Sequence, residues 1–398
     1  MTRKVCIVTG TRAEYGLLRA LALAVRAAPG LQLQLLVTGS HLSPEFGLTY
    51  REIEADGLAI DAKVEMLLSA DTASATAKSM GLGMIGYGDA FERLRPDLVL
   101  LLGDRFEILA AASAALVAGI PVAHVHGGET TEGAFDESIR HAVTKMSHLH
   151  FVAAAAYRQR VIQLGEAPER VFQVGGLGVD AIRRLQLLDR AALEQAMGFS
   201  LAARNLLVTF HPVTLEAHSA EHQMQELLAA LDALHAPDAE PRTHLIFTMP
   251  NADSGSRVLA RMVDDFVATR QHARAFASLG QLRYLSCLQL VDGVVGNSSS
   301  GLIEAPSLGT GTVNIGERQR GRLQAPSVID CAPEREAIRA AIARLYTPEF
   351  MRIVAARANP YGDGGAVEQI IHVLTHHSLD GILKKPFHDI GAAANPAP

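Results

Sequence analysis

Tryptophan is absent from the chain, aromatic residues make up only 5% of it, and cysteine occurs three times, at Cys6, Cys287 and Cys331. Cysteines so few and so scattered, with no CxxC pair, suggest neither a zinc knuckle nor a disulfide framework and read as reduced core residues. Positive charge is not in excess: the formal net charge is -6, from 36 Lys and Arg against 42 Asp and Glu. That balance offers no bulk attraction for nucleic acid or an anionic membrane, although it leaves room for a local cationic pocket around a small anion. No apolar run reaches transmembrane length without a charge or a glycine, and MTRKVCIVTG enters a strand directly, with no long apolar signal region. These absences predict a cytoplasmic protein with neither nucleic acid nor membrane as a partner.

What the chain does have is length and apolar content. At 398 residues, 48% hydrophobic and 20% charged, it exceeds the size at which one core usually keeps growing, and two domains are expected. Short apolar runs alternate with alanine- and leucine-rich stretches of helical length: KVCIVTG, LQLQLLVTG, DLVLLLGD, IPVAHVHGG and HLHFVAA, then NLLVTFH, THLIFTMP, DGVVGNS and GTVNIG. Runs apolar on both faces and separated in this way predict parallel strands covered by helices, an α/β fold. The spacing of Leu17, Leu18, Leu21 and Val25 predicts a helix over Glu14–Ala28, and Phe106–Ala118 reads as another. The rhythm loosens near Gly176–Asp180, and a new strand series starts at Asn205. A first doubly wound domain is therefore expected over residues 1–177 and a second over 178–364, with a closing helix near Gly365–Leu383, in a segment of about 365–390, packing back on the first. The AAANPAP tail reads as disordered. Ligands of doubly wound sheets sit beyond the carboxyl ends of the strands, and two such domains facing each other leave a cleft.

Polar residues interrupt the pattern where strands end. TGTRAEYG, Thr9–Gly16, joins a strand to a helix through a glycine, which suits either a backbone N–H cradle for phosphate beside Arg12 or a tight turn with a surface arginine. It is not GxGxxG, so the dinucleotide fingerprint is absent. In GNSSSGLIE the hydroxyls of Ser298, Ser299 and Ser300, with Gly301, precede a helix-like segment; they favour a diphosphate over a plain serine N-cap, which needs only one serine. Glu304, about one helical turn in, could accept from ribose hydroxyls. Arg318, Arg320 and Arg322 of NIGERQRGR supply charge for the same anion, or form a solvated loop. Asp104, after an apolar run and a glycine in LLLGDRFE, is a proton-transfer carboxylate or a helix N-cap.

VAHVHGGETTEGAFDE, Val122–Glu137, sets His124 and His126 on one strand face, with Glu129, Glu132, Asp136 and Glu137 following. Neither these histidines nor His141, His148 and His150 form HExxH or an equivalent, and no metal is expected. Histidine beside carboxylates titrates near neutrality, and Gly127-Gly128 lets the chain approach a ligand, so proton transfer fits better. FDESIRHAVTKMSHLHF then reads as a helix with Asp136 or Glu137 in its first turn and Arg140, His141, Thr144 and Lys145 at helical spacings.

VTGTRAEYG, LGDRFE, HVHGGE, DESIRHAVTKMSHLHF, FHPVT, GNSSSGLIEAPS and NIGERQRGR, in this order, resemble the hydrolysing UDP-N-acetylglucosamine 2-epimerases of bacterial sialic acid biosynthesis, over about Val5–Gly362. The resemblance implies the glycosyltransferase-B architecture, two Rossmann-like domains with the active site in the interdomain cleft. For chemistry it implies loss of the sugar C2 proton with anti elimination of UDP from UDP-GlcNAc, giving 2-acetamidoglucal. Addition of water at C1 and reprotonation of C2 on the other face then yield N-acetylmannosamine. No cofactor is implied, and the family suggests a homodimer or homotetramer through first-domain helices. By motif position, Asp104, His126 and Asp136 stand where the family's acid/base groups stand, and His211 lies beside the diphosphate. Arg12, Ser298, Ser299 and Arg318 match UDP-phosphate contacts, with Arg105, Ser300 and Gly301 next to them; Glu304 matches the ribose contact, and Asn251 of MPNAD is a further cleft residue.

Some members have Glu where this chain has His126, so the base is His126, Glu129 or Glu137. The nonhydrolysing epimerases read HVEAGLR where this chain reads HVHGGE, which assigns the hydrolysing branch. The same reaction on UDP-2,4-diacetamido-2,4,6-trideoxyglucose, used for legionaminic acid, shares most of these motifs. A glycosyltransferase of the same architecture, or a non-catalytic UDP-sugar binding module, would leave the acids and histidines of the first domain unexplained.

Overall fold

The computed structural model describes residues 2–70, 72–132, 135–212, 220–235, 242–250 and 256–390; Asn251 and the AAANPAP tail lie outside the described residues. The chain divides into two compact units, one of Met1–Glu129, Asp136–Asp180 and Gly364–Pro398, the other of Thr130–Phe135 and Ala181–Asp363.

In the first unit the strands β1 (Arg3–Thr9), β2 (Leu31–Thr38), β3 (Ala62–Val64), β4 (Leu98–Leu102), β5 (Val122–Val125), β6 (Leu149–Val152) and β7 (Val171–Gln173) form one parallel sheet, ordered β3-β2-β1-β4-β5-β6-β7. Alternate residues enter different cores. Val5, Ile7, Leu98 and Leu100 pack with Leu18, Leu21 and Val25 of the helix Arg12–Ala27, whereas Cys6, Val8, Val99 and Leu101 pack with Phe91, Ile108 and Ala111. Burial on both faces is why these strands read as unbroken apolar runs.

The second unit repeats the plan with β8 (Arg204–Thr209), β9 (Thr243–Thr248), β10 (Ala273–Phe276), β11 (Gly293–Gly296), β12 (Gly311–Ile315) and β13 (Val328–Cys331), all parallel and ordered β10-β9-β8-β11-β12-β13. Leu206, Val208 and Val295 face one core, Leu207 and Val294 the other. In each sheet the strand order reverses once, between β1 and β4 and between β8 and β11. Those two switch points are where doubly wound sheets bind ligands, outside the carboxyl ends of the strands.

The sequence expectation differs from the structure in several places. The outer strands β3, β7, β10 and β13 were not among the apolar runs; AKV, VFQ, ARAF and VIDC are short and only partly buried. FDESIRHAVTKMSHLHF is a helix only over Asp136–Met146, because the His148 N–H turns to Val122 O at 2.8 Å and the chain joins the sheet as β6. The closing helix is shorter than expected, Ala366–His376, with Val367, Ile370 and Leu374 in the first unit's core. Its first turn is capped by the carboxylate of Asp180, which accepts from the N–H groups of Gly365 and Val367. Among the described residues no helix is long and apolar enough to cross a membrane.

Candidate active site

The first unit's polar groups collect at its switch point and on the neighbouring β5. Gly103, at φ 81°, turns the chain out of β4, so that Asp104 follows at once. The helix Asp136–Met146 answers it with Arg140, a guanidinium buried to 1% exposure that bonds the Asp104 carboxylate and also lies 3.3 Å from Glu137 Oε2. Glu137 takes a second partner, His141 Nε2, at 3.0 Å. Two carboxylates therefore share one buried cation, an arrangement that fixes their geometry as much as their charge. Arg140 was noted in the sequence only for its helical spacing. Its signal was the interval of four from Asp136, which sets both residues on one helix face.

His126 follows β5 in the left-handed region, at φ 67°, while its N–H still bonds Phe151 O at 2.9 Å. For a side chain with a Cβ this is a costly conformation. Its result is to bring Nδ1 within 3.1 Å of Glu129 Oε1, both residues being buried. Nε2 is buried and makes no hydrogen bond among the described residues. An imidazole with a carboxylate beside Nδ1 and a buried Nε2 that makes no hydrogen bond among the described residues has the parts of a general base. Glu129 lies on the Nδ1 side of the ring. His124, which the sequence set on the same face, is fully buried and bonds Gly103 O at 2.7 Å and Thr144 Oγ1 at 3.1 Å.

The β1 loop differs from a phosphate cradle. The Gly10 N–H donates to Glu14 Oε2 at 2.7 Å, and the Glu14 N–H donates to Thr11 Oγ1 at 3.2 Å. A glutamate of the chain's own helix thus fills the anion position. Burial and the neighbouring Glu107 push the Glu14 carboxyl up to about 7, against the pull of Arg105 and the Gly10 and Thr11 amides. Arg105 is turned to Glu107, 3.3 Å away, and both are largely buried. Arg12 opens the helix Arg12–Ala27.

In the second unit the β8 and β11 ends are stapled by Asn297, wholly buried, whose Oδ1 accepts from the His211 N–H at 2.7 Å and whose Nδ2 donates to His211 O at 2.9 Å. Gly296 makes the staple possible, since a Cβ there would stand 1.9 Å from Thr209 O at φ 142°. Arg318 and Gln319 both donate to Asn297 O, at 3.0 and 2.8 Å, drawing the NIGERQRGR loop over the serines. Tyr284 stands beside Ser298, Ser300 and Glu304. Gln319 and Tyr284 were not singled out by the sequence, because their roles are tertiary, and Asn297 was read only as one of the polar residues that follow the DGVVG strand.

The expected helix after the serines is two single turns, Ser300–Ile303 and Ala305–Leu308, meeting at a buried Glu304. Pro306 has no N–H to continue the ladder. Turns this short have little dipole, so an anion here depends on the hydroxyls and Arg318. Arg322 turns instead to Thr130 O, at 2.9 Å, and Arg320 lies 3.4 Å from Glu132, so those two hold the Thr130–Phe135 segment to their own unit.

A family model described as UDP-N-acetylglucosamine 2-epimerase matches residues 23–375. The chain is 41% identical over 98% of its length to a GDP/UDP-N,N'-diacetylbacillosamine 2-epimerase (hydrolyzing) of Campylobacter jejuni, covering 99% of that protein. The chain belongs to the hydrolysing UDP-N-acetylglucosamine 2-epimerase family. It is also 39% identical to polysialic acid biosynthesis protein P7 of Escherichia coli, over 94% of this chain and 93% of that one. A UDP-N,N'-diacetylbacillosamine 2-epimerase (hydrolyzing) of Legionella pneumophila is 37% identical, over 94% and 96%. The epimerase fold extends to a crystal structure of UDP-GlcNAc 2-epimerase from Neisseria meningitidis bound to UDP-GlcNAc, at a TM-score of 0.79 and 18% identity over 93% of this chain and 99% of that one. The two Rossmann-like units are of the glycosyltransferase-B type.

Proposed function

We propose that this epimerase-family chain acts on a UDP-linked 2-acetamido sugar, releasing UDP and the free 2-epimer. In the first step a base takes the C2 proton, the C2–H electron pair forms the C1=C2 bond of a glucal, and the C1–O pair leaves with UDP. In the second, water adds its hydroxyl to C1 and a proton returns to C2 on the opposite face. No cofactor is consumed.

The observation that carries this reading is the His126–Glu129 pair beside the Asp104–Arg140–Glu137 group, at the ends of adjacent strands β5 and β4. His126 is the C2 base through Nε2, and Glu129 holds its tautomer. Asp104 and Asp136 serve the second proton transfer, while Glu137, beside Arg140 and His141, positions Arg140. A C2–H beside an acetal carbon is weakly acidic, so the leaving diphosphate needs stabilisation as well. That role falls to Ser298, Ser299, Ser300, Gly301, Arg318, His211 and Arg12, with Glu304 on the ribose and Asn251 as a further contact. Arg105, engaged by Glu107, supports the fold of the switch point rather than the phosphates.

Two of the three relatives named above carry the diacetylbacillosamine name. That favours the diacetamido-trideoxy sugar as substrate, with UDP-GlcNAc as the second reading, favoured by the polysialic acid relative. Either product would feed synthesis of a sialic-acid-type sugar in the cytoplasm. Apolar side chains exposed on the helices Ala73–Leu94 and Phe106–Val117, among them Ile85 and Val117, support a homo-oligomer.

The test is to incubate purified protein with each UDP-sugar, without acceptor, and follow UDP and free sugar. Asp104→Asn and His126→Ala are expected to lower turnover by roughly 10²- to 10⁴-fold while UDP still binds. Near-normal rates in both variants would sink the assignments. Release that requires an acceptor would mean a glycosyltransferase instead.

A further inference from the structure

We propose that His124 and Thr144 are positioning residues that hold Asp104 for proton transfer, by closing a ring of hydrogen bonds through the β4 turn, β5 and the helix Asp136–Met146. The inference rests on the role given above to Asp104.

The ring can be followed atom by atom. His124 Nε2 lies 2.7 Å from Gly103 O, the carbonyl of the peptide unit that joins directly to the Asp104 nitrogen. Gly103 is itself the pivot, at φ 81°, with its N–H bonded to Val125 O at 3.0 Å. A planar peptide whose oxygen is tied down has its other end fixed too, so the His124 bond sets the direction in which Asp104 leaves the strand. On the other side, His124 Nδ1 lies 3.1 Å from Thr144 Oγ1. Thr144 and Arg140 are four apart on one helix face, and Arg140 bonds the Asp104 carboxylate. Backbone and side chain of Asp104 are thus held from the same helix by two routes.

The chemistry fixes the protons as well. A carbonyl only accepts, so Nε2 carries the hydrogen and Nδ1 accepts from the Thr144 hydroxyl. Burial pushes the imidazole down to about 3, so His124 stays neutral and keeps this tautomer across the neutral range. Gly127 packs closely against both groups, since a Cβ there would stand 3.0 Å from Thr144 Oγ1 and 3.1 Å from His124 Nδ1. His124 is therefore a support and not the proton carrier, in contrast to His126 with its unbonded Nε2.

The test uses paired variants of the full chain. His124→Gln places an amide N–H near the Nε2 position, whereas His124→Asn and His124→Ala cannot reach Gly103 O; Thr144→Ser keeps the hydroxyl that Thr144→Val removes at equal shape. For Asn and Ala, kcat is expected to fall roughly 10²-fold with KM within about twofold, the mark of lost geometry rather than lost binding. Gln and Ser should retain most of kcat, and the acid limb of the Gln variant's pH profile should match wild type. Amide exchange at Gly103 and Asp104 should quicken in Asn, Ala and Val but not in Gln or Ser. Full kcat in Asn, equal loss in Gln and Asn, a shifted acid limb in Gln, or unchanged exchange throughout would each overturn the proposal. If wild-type protein turns over no UDP-sugar, the proposed function fails, and the exchange pattern still decides whether the ring exists.

Discussion

Replacing Lys385 with methionine probes how the turns around it hold the first unit. Glu166 is wholly buried and lies 3.0 Å from His150 Nε2, 2.7 Å from Lys145 Nζ and 2.9 Å from Lys385 Nζ. Lys385 also donates to Lys145 O at 2.6 Å and Ser147 O at 2.7 Å, the carbonyls that end the helix Asp136–Met146. Behind it the Phe387 ring covers Gly165, and the His388 N–H bonds Gly165 O at 2.9 Å. Burial pushes the Glu166 carboxyl up, but the hydrogen bond from His150 and the two ammonium groups outweigh it and hold it down to about 2.

The two lysines differ in surroundings, and that difference sets the magnitude. Lys145 is 41% exposed and Lys385 is 13% exposed. Breaking a buried pair costs about 3–5 kcal/mol, reduced here because Lys145 remains, so Lys385→Met should cost ~3 kcal/mol. At 2–4 °C per kcal/mol for a domain of this size, the unit's melting transition should drop by roughly 6–12 °C. Lys145→Met, at a solvent-screened site, should cost less than about 1 kcal/mol. Scanning calorimetry of the three proteins reads both numbers. A carboxyl depressed from 4.5 to about 2 contributes stability that is complete above the higher value and lost on acidification toward the lower, so the gap between wild type and Lys385→Met should narrow across that window. Equal shifts for the two lysines, or a larger one for Lys145, would refute the reasoning.

Two further outcomes follow from buried groups. The raised carboxyl of Glu14 favours folding fully below 4.5, and that contribution is lost as pH rises through about 7. Glu14→Gln, which keeps an acceptor for the Gly10 N–H, should match wild type near pH ~5 and exceed it by roughly 1–3 kcal/mol near pH ~8.5. Urea denaturation at both pH values checks this, and an unchanged difference between them contradicts it. Gly296→Ala forces a Cβ to 1.9 Å from Thr209 O, so the β8–β11 junction must open. A loss of at least about 3 kcal/mol is expected from the strained backbone and the clash, and an unaltered melting temperature would count against it.

The parts of the fold that the sequence made legible are those whose burial is complete. β1, β4, β8 and β11 bury both faces, and each appeared as an apolar run ending in polar residues at a switch point. The outer strands β3, β7, β10 and β13 have a neighbour on one side only and carry too few apolar residues to leave that trace. Within the candidate site the same divide holds. Asp104, His126 and the serines stand at strand ends and interrupt a pattern, so periodicity found them. Arg140 does not interrupt anything, because it continues a helix, yet it organises residues that do; Asn297 interrupts the β11 run, but its hold on His211 is tertiary and leaves no trace in the pattern.

The identity of the C2 base shows why pattern alone stops short. On a strand, His126 and Glu129 would point to opposite faces, since positions three apart alternate. The left-handed backbone at His126 and the positive φ of Gly128 cancel that alternation and turn the two side chains together, 3.1 Å apart. A chain with glutamate in place of His126 would bring two carboxylates to the same contact, where like charges oppose each other. Histidine there and glutamate three residues later are therefore a matched pair. Under the proposed reading His126 is the C2 base, since its buried Nε2 makes no hydrogen bond among the described residues while Nδ1 lies beside Glu129.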